Sequence, residues 1–492
     1  MLTARFFRAA LLAGLAVLCL HAEVKLPALI SDHMLLQQGV PVKIWGSATP
    51  GAAVEVSFRD QKAAATAGAE GKWTVWLQPL RAGGPDDLTV TSGNAVTVRD
   101  VLVGDVWVGS GQSNMVWSVA RSANPQEEMS NANYPPIRLF QVKTAVADQP
   151  ADDVTGAWMV CNPDNVKDFS AVGYFFAREI HKARKVPVGV IQSAWGGTPA
   201  QSWTSRPAIE RNPSLEFVLD AWQRVVQRYP AAHAAYEKQL SEWKPDSGTP
   251  RPRPPVGPGH QNTPGGLFNA MIAPLTPYAI RGVIWYQGEN DASESHAYGY
   301  RHLFRALIED WRQAWSNRDL PFLFVQLANF KTNGWWPLLR ESQTEALGLR
   351  NTGMAVAVDI GDAKDIHPTN KQDVGRRLAL TARRIAYGEE IEHSGPMFRE
   401  LYWHNGRLHA WFDHAAGLKA KSGALAGFEV AGEDGVYHPA EAEVAGNSVA
   451  LASGAVARPV AVRYGWSDDP ACNLVNGAGL PASPFRAGER SR

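Results

Sequence analysis

Hydrophobic and polar positions alternate with a period of two over the first stretch of the chain after residue 23. Val42-Lys43-Ile44-Trp45, Val54-Glu55-Val56-Ser57-Phe58, Trp73-Thr74-Val75-Trp76 and Val96-Thr97-Val98 each turn every second side chain to one face, as half-buried strands do. Turn formers punctuate the gaps at Pro50-Gly51, Gly71 and Gly83-Gly84-Pro85. The pattern predicts a small β domain over residues 23–101. From 102 to 390 short apolar runs alternate with longer stretches of three/four spacing. The expected strands are Val101–Val108, Val186–Ile191, Arg281–Tyr286, Phe322–Gln326 and Ala355–Asp359. Tyr300, Leu303, Phe304, Leu307, Ile308 and Trp311 form one helical stripe, and Val172, Phe175, Phe176 and Ile180 another. Such alternation predicts an α/β domain, a parallel sheet covered on both faces. An insertion over 209–260 interrupts it between the second and third strands. A helix is expected over 209–243, with Val218, Trp222, Val225, Val226 and Tyr229 on one face. An extended linker follows, with proline at 245, 250, 252, 254, 255 and 258. Beyond 390 the β pattern returns in Leu401-Tyr402-Trp403, Leu408–Phe412, Val449–Leu451 and Val460–Tyr464, which predicts a third domain over 391–492.

Composition changes this picture little. The 492 residues are 45% hydrophobic and 20% charged, which excludes a disordered or collagenous chain. Forty-eight basic residues balance 48 acidic ones, so neither nucleic acid nor an anionic membrane is expected as partner. The first residues change it more. Arg5 and Arg8, the apolar run from Ala9 to Leu20 and the small Ala22 read as an export signal over 1–22. The run is too short for a membrane anchor, so a secreted or periplasmic protein is expected. Cys161 and Cys472 would remain after cleavage, and spacing does not say whether they pair.

In open parallel sheets ligands bind beyond the carboxyl ends of the strands. Gly109-Ser110-Gly111-Gln112-Ser113-Asn114-Met115 follows the first expected strand. Ser193-Ala194-Trp195-Gly196-Gly197-Thr198 follows the second and Gln287-Gly288-Glu289-Asn290-Asp291 the third. Asp359, Asp362 and Asp365-Ile366-His367-Pro368 follow the fifth. A serine hydroxyl needs an adjacent base, which histidine supplies near neutral pH. The histidine needs a carboxylate to hold its tautomer. Residues two apart in an extended loop share a side, so Asp365 can pair with His367. An oxyanion needs preorganised donors, for which the Ser113 N–H, an N–H of Gly196 or Gly197 and the Asn290 amide are candidates. Singly, each feature also has an ordinary reading: a helix cap for Ser113, a loop histidine, a tight glycine turn, an Asx-turn at Asn290. Their meeting at one sheet edge favours a site.

These motifs resemble the SGNH hydrolases, and within them the sialate O-acetylesterase-type carbohydrate esterases. The resemblance spans nearly the whole chain. It includes Leu35-Leu36-Gln37-Gln38, Trp45-Gly46, Gly104-Asp105-Val106-Trp107 and Gly111-Gln112-Ser113-Asn114-Met115. It continues through Ala194-Trp195-Gly196-Gly197-Thr198-Pro199 with Trp203, then Asn269-Ala270-Met271-Ile272-Ala273-Pro274-Leu275 and Trp285-Tyr286-Gln287-Gly288-Glu289. Asp365-Ile366-His367-Pro368 with Lys371, and Gly479-Leu480-Pro481-Ala482-Ser483-Pro484-Phe485-Arg486, complete it. It implies a flavodoxin-like three-layer catalytic domain between two β-sandwich-like domains. It also implies a serine esterase without metal or cofactor that removes O-acetyl groups from sugars. By matching position Ser113 is the nucleophile, His367 the base, Asp365 its acid, and Gly196, Gly197 and Asn290 the oxyanion donors. The wider superfamily has its acid three residues before the base, where this chain has Lys364, so Asp362 and Asp359 stay open as alternatives. Close relatives often carry serine at the place of Asn290, which leaves Gln287 as a further donor.

An acetylated sugar or polysaccharide is thus the expected partner. Gln112, Trp195, Gln287, Glu289 and Arg340 are expected to meet it, through a stacked indole and, for a sialic acid carboxylate, a forked arginine contact. Acetylated xyloglucan or another hemicellulose is the alternative substrate. The rival classes are a carbohydrate-binding protein with a dead centre and a long-chain acyl esterase.

Overall fold

The computed structural model describes residues 24–246, 248–332 and 334–488; the export signal expected over 1–22 lies outside them. The central sheet contains β1 (Asn94–Gly111), β2 (Tyr134–Gln141), β3 (Trp158–Cys161), β4 (Val188–Ala194), β5 (Gly282–Tyr286), β6 (Phe322–Gln326) and β7 (Thr352–Val356). Across the sheet they run β7-β6-β5-β1-β4-β2-β3. Every neighbouring pair is parallel except the antiparallel edge pair β2–β3. The fold is therefore mixed α/β with a largely parallel central sheet, accompanied by several further β-sheets.

The expected strands overlap β1, β4, β5, β6 and β7, the last of which runs three residues earlier than expected, Thr352–Val356 in place of Ala355–Asp359. The sequence reading missed β2 and β3. Pro135 and Pro136 open β2 and break its register against β3 between Tyr134 and Arg138. Proline is tolerated at a strand start but hides the strand's pattern.

The helices used below are α1 (Ser113–Val116), α2 (Ala171–Arg184), α3 (Glu216–Glu242), α4 (Tyr300–Ala314), α5 (Trp336–Thr344) and α6 (Lys371–Ile385). Both predicted stripes are buried along their length. Phe176 of α2 packs edge-on against Trp107 at 4.9 Å. Phe304 of α4 packs against Trp285, Phe322 and Phe324. Trp285 lies beside Ser110 in the register, three residues beyond Trp107, so the two tryptophans project to opposite faces. Helices thus cover both sides of the sheet. On one side α2 and α6 touch closely. A Cβ on Gly375 would stand 2.6 Å from that of Phe175.

The insertion holds the long helix α3, whose expected apolar face is mostly left partly exposed; Val218 is its one buried residue. The proline tract behind it folds back instead of running free. Gly257 lies against the Tyr229 ring, and Trp243 Nε1 donates to the Thr249 carbonyl at 2.9 Å.

The two flanking β regions join the centre differently. Val54, Val56, Phe58, Val75 and Leu88 belong to the same continuous core as the central sheet. The boundary expected at 101/102 falls inside β1, which pairs first with residues 83–92 and then with β4 and β5. Residues 397–487 build two four-stranded antiparallel sheets and one two-stranded antiparallel sheet around their own core of Phe412, Val430, Val449, Leu451, Val462 and Tyr464.

Candidate active site

The sheet order changes direction at β1. The chain steps from β1 toward β2 on one side and later from β5 to β7 on the other, so the carboxyl end of β1 is the crevice where ligands bind in such sheets. Gly111 closes the strand at φ +132°, and a Cβ there would stand 2.1 Å from the Tyr286 carbonyl oxygen. Only glycine fits this approach. The turn is pinned on both sides: Gln112 N donates to Tyr286 O at 3.0 Å and Trp195 N to Gly111 O at 3.1 Å. Ser113 therefore opens the short helix α1 at its first position, one residue past the N-cap.

The loop after β7 brings His367 onto this serine. His367 Nε2 lies 2.9 Å from Ser113 Oγ. On the other side of the ring Nδ1 lies 3.2 Å from Asp365 Oδ1, which also accepts the His367 N–H at 2.9 Å. A carboxylate only accepts, so Nδ1 carries the proton and Nε2 is left to accept from the serine hydroxyl. The Trp117 indole stacks on the imidazole at 4.6 Å and 15°, with the Arg121 guanidinium 3.6 Å over the same indole. Burial pushes the His367 imidazole below its ordinary value. Asp365 opposes this, and Lys371 and Arg121 push it down further.

The other two candidate carboxylates lie elsewhere. Asp359 holds Arg377 in a forked pair at 2.6 and 2.9 Å and also meets Lys421 at 3.2 Å. Asp362 caps the Lys364 N–H at 2.8 Å. Asp365 is the one that meets the histidine.

Donors gather beside the serine. A Cβ on Gly196 would lie 3.4 Å from that of Ser113. The Thr198 hydroxyl holds the Trp195 carbonyl at 2.8 Å and Gln261 holds the Gly196 carbonyl at 3.2 Å. The N–H groups of Gly196 and Gly197 therefore point away from those partners, across trans peptides, and neither is bonded among the described residues. Asn290 is exposed in the turn after β5. Its N–H donates to Gln112 Oε1 at 3.2 Å, and its side-chain amide is unengaged among the described residues.

Four residues expected to meet substrate are placed differently. Arg340 is fully buried, and its guanidinium donates to the carbonyls of Leu327, Ala328, Ser467 and Asp468. It clamps main chain and offers no fork to a ligand. Gln287 is buried as well. Its amide donates to Asp291 and the Thr198 carbonyl, and its oxygen accepts from Tyr300, which also removes it as a spare oxyanion donor. Gln112 is buried with its oxygen held by Asn290. Glu289 turns inward, with Oε1 accepting from Asn114 Nδ2 at 2.5 Å. Trp195 stays partly exposed beside the serine.

Trp195 lines a cleft of about 520 Å³ that runs from Val116 and Gly196 to residues 141–144, 155–157 and Met159. The sequence reading missed this wall because it missed β2 and β3, which carry it. The run Ile137-Arg138-Leu139-Phe140 was the available signal. Lys143 is the charged side chain of the lining, and it makes no ion pair among the described residues. Trp117, Trp203, Trp285 and Trp336, which follow or end the same strands, are buried. Cys161 and Cys472 are unpaired.

Comparison with known proteins places this geometry. A family model described as carbohydrate esterase, sialic acid-specific acetylesterase, matches residues 103–241 and 239–384. The chain is a carbohydrate esterase, a carboxylic ester hydrolase acting on sugars. More narrowly, it belongs to the sialic acid-specific acetylesterase family that this model describes. It is 31% identical to the sialate O-acetylesterase of Rattus norvegicus over 521 residues, 93% of each chain. The Homo sapiens sialate O-acetylesterase is 31% identical over 511 residues, 93% of this chain and 91% of that one. Among solved structures, a carbohydrate acetylesterase from Xanthomonas citri superposes with a TM-score of 0.83 at 40% identity, covering 94% of this chain and 99% of that one.

Proposed function

We propose that this chain is an exported sialate O-acetylesterase-like enzyme that hydrolyses sugar acetyl esters through a Ser-His-Asp acyl-enzyme. The catalytic unit is an SGNH-type three-layer domain, flanked by two β-sandwich-like domains. The observation that carries the reading is the line Ser113 Oγ–His367 Nε2 at 2.9 Å and His367 Nδ1–Asp365 Oδ1 at 3.2 Å.

Each step follows from that line. His367 takes the hydroxyl proton as Ser113 attacks the acetyl carbonyl, and Asp365 stabilises the imidazolium. The tetrahedral oxyanion is received by the N–H of Ser113, the N–H of Gly196 or Gly197 and the Asn290 amide. Collapse of the intermediate returns the proton from His367 to the departing sugar oxygen. Water then attacks the acetyl-serine by the same route and releases acetate. The sugar lies in the cleft against Trp195, where an indole face suits a pyranose ring. Lys143 favours an anionic sugar, in line with the names of the mammalian relatives.

Two measurements test this. Ser113→Ala should reduce hydrolysis of a chromogenic acetyl ester by roughly 10⁴-fold or more; retained activity would reject the nucleophile. Acetate release should be faster from acetylated sialosides than from acetylated xyloglucan or xylan. The reverse order would assign a hemicellulose substrate. Rates rising with acyl chain length would instead support a long-chain acyl esterase.

A further inference from the structure

Behind the Ser113–His367 contact lies a polar cluster that the reaction above does not use. Lys371 opens α6 four residues after His367 and is fully buried. Its Nζ donates to Asn114 Oδ1 at 2.5 Å and stands 5.2 Å from the centroid of the Tyr286 ring and 5.9 Å from that of Trp117. Asn114 Nδ2 donates to Glu289 Oε1 at 2.5 Å and to the Ile366 carbonyl at 3.0 Å. Glu289 Oε2 is buried without a hydrogen-bond partner.

These few bonds join three strand-end loops. Asn114 follows the serine, Ile366 sits between Asp365 and His367, and Glu289 opens the turn that carries Asn290. One amide thus measures the gap between hydroxyl and imidazole, and its orientation is set by a cation on one side and a carboxylate on the other. Apolar side chains of similar size often fill such a place without loss of stability, so a buried cation and carboxylate bridged by one amide call for a reason. Burial pushes Lys371 down to about 7, against the pull of Glu289 and Asp365. Burial pushes Glu289 up, opposed by Asn114 and Lys371. The groups acting on His367 are Asp365 from its own loop, Lys371 from α6 and Arg121 across Trp117. The Lys371 cation is one of the influences that lower His367.

We infer that Lys371 is a positioning residue for the esterase. Through Asn114 it holds the serine turn and the histidine loop at a fixed spacing, and its positive charge favours the neutral imidazole that accepts the serine proton. The inference rests on Ser113 as nucleophile and His367 as base.

The test uses the full chain and a chromogenic acetyl ester, with kcat and kcat/KM followed against pH. Three proteins are compared: wild type, Lys371→Met, and the double variant Lys371→Met with Glu289→Gln. The double variant removes the buried carboxylate of this cluster together with its cation. Both variants should move the acid limb of kcat/KM upward by about one unit. They should lower kcat about 10- to 100-fold with KM little changed. Circular dichroism checks that each is folded. If the single variant fails to fold, the double variant decides. An acid limb at the wild-type position overturns the inference, and so does a double variant that cannot fold, which would make the role structural. Those results leave the esterase reading intact as long as wild type is active and Ser113→Ala is not. An inactive wild type would instead remove that reading itself.

Discussion

The His367 imidazole sits between one anion that raises its proton affinity and two cations and a partly buried setting that lower it, with lowering the net result. The base form therefore persists to lower pH than for a free histidine. The acid limb of kcat/KM should fall below the ordinary value near 6.5, and the rate should drop as pH falls through it because the imidazolium cannot accept the serine proton. A rate unchanged from mildly acid to neutral pH would contradict histidine as base. Asp365 is 55% exposed in its side chain, so water screens its charge. Asp365→Asn should therefore lower kcat about 10- to 100-fold, less than the roughly 10⁴-fold loss seen for a buried triad acid; steady-state kinetics reads the difference. The pairing of residues 365 and 367 was legible because an i, i+2 relation in an extended loop is local. The exclusion of Asp359 was not, since its partner Arg377 lies on a different element. Burial likewise withdrew Gln287 and Arg340 from the expected substrate contacts.

At the scale of elements, the end of β1 does the most to build the site. Gly111 gives the backbone a positive φ and lets Tyr286 approach, so the serine emerges at the crevice. Gly111→Ala should destabilise the protein by about 3 kcal/mol or more and abolish esterase activity. Urea unfolding and an ester assay check both. Buried parallel strands with amphipathic helices between them read clearly because each repeats its own period. Both helical stripes therefore appeared where expected, on α2 and α4. The proline-led β2 and the short β3 have no such repeat, and the cleft wall they carry was invisible with them. In α3 the expected apolar face is real as a pattern, yet only Val218 finds a buried place.

The whole molecule is held together by contacts that span regions. Gln326 Nε2 donates to Ser483 Oγ at 2.9 Å, Arg486 grips Glu341 at 2.8 and 3.0 Å, and Lys421 meets Asp359. Arg340 is a further link, tying carbonyls after β6 to those of residues 467 and 468. Arg340→Met should lower stability by about 3 kcal/mol or more, because the buried carbonyls of Leu327 and Ala328 and the partly buried ones of residues 467 and 468 lose a charged donor. KM for an acetylated sugar should stay unchanged, which separates a clamp from a substrate fork; calorimetry and steady-state kinetics read the two effects. No helix among the described residues is long and apolar enough to cross a membrane.

Period and short-range spacing determined which segments become strands and helices, which face of each is apolar, and which loops end beside one another in a parallel sheet. That was enough to bring Ser113, Gly196, Asn290 and the Asp365–His367 pair to one edge, because parallel strands joined by crossovers end on the same edge of the sheet whatever their order. Tertiary structure alone decided which polar groups remain free. A side chain's hydrogen bonds depend on partners hundreds of residues away, and burial leaves unsatisfied only what no such partner reaches. By that rule Arg340 and Gln287 became scaffold, Lys371 and Glu289 came to lie behind the catalytic edge, and a cleft opened along Trp195.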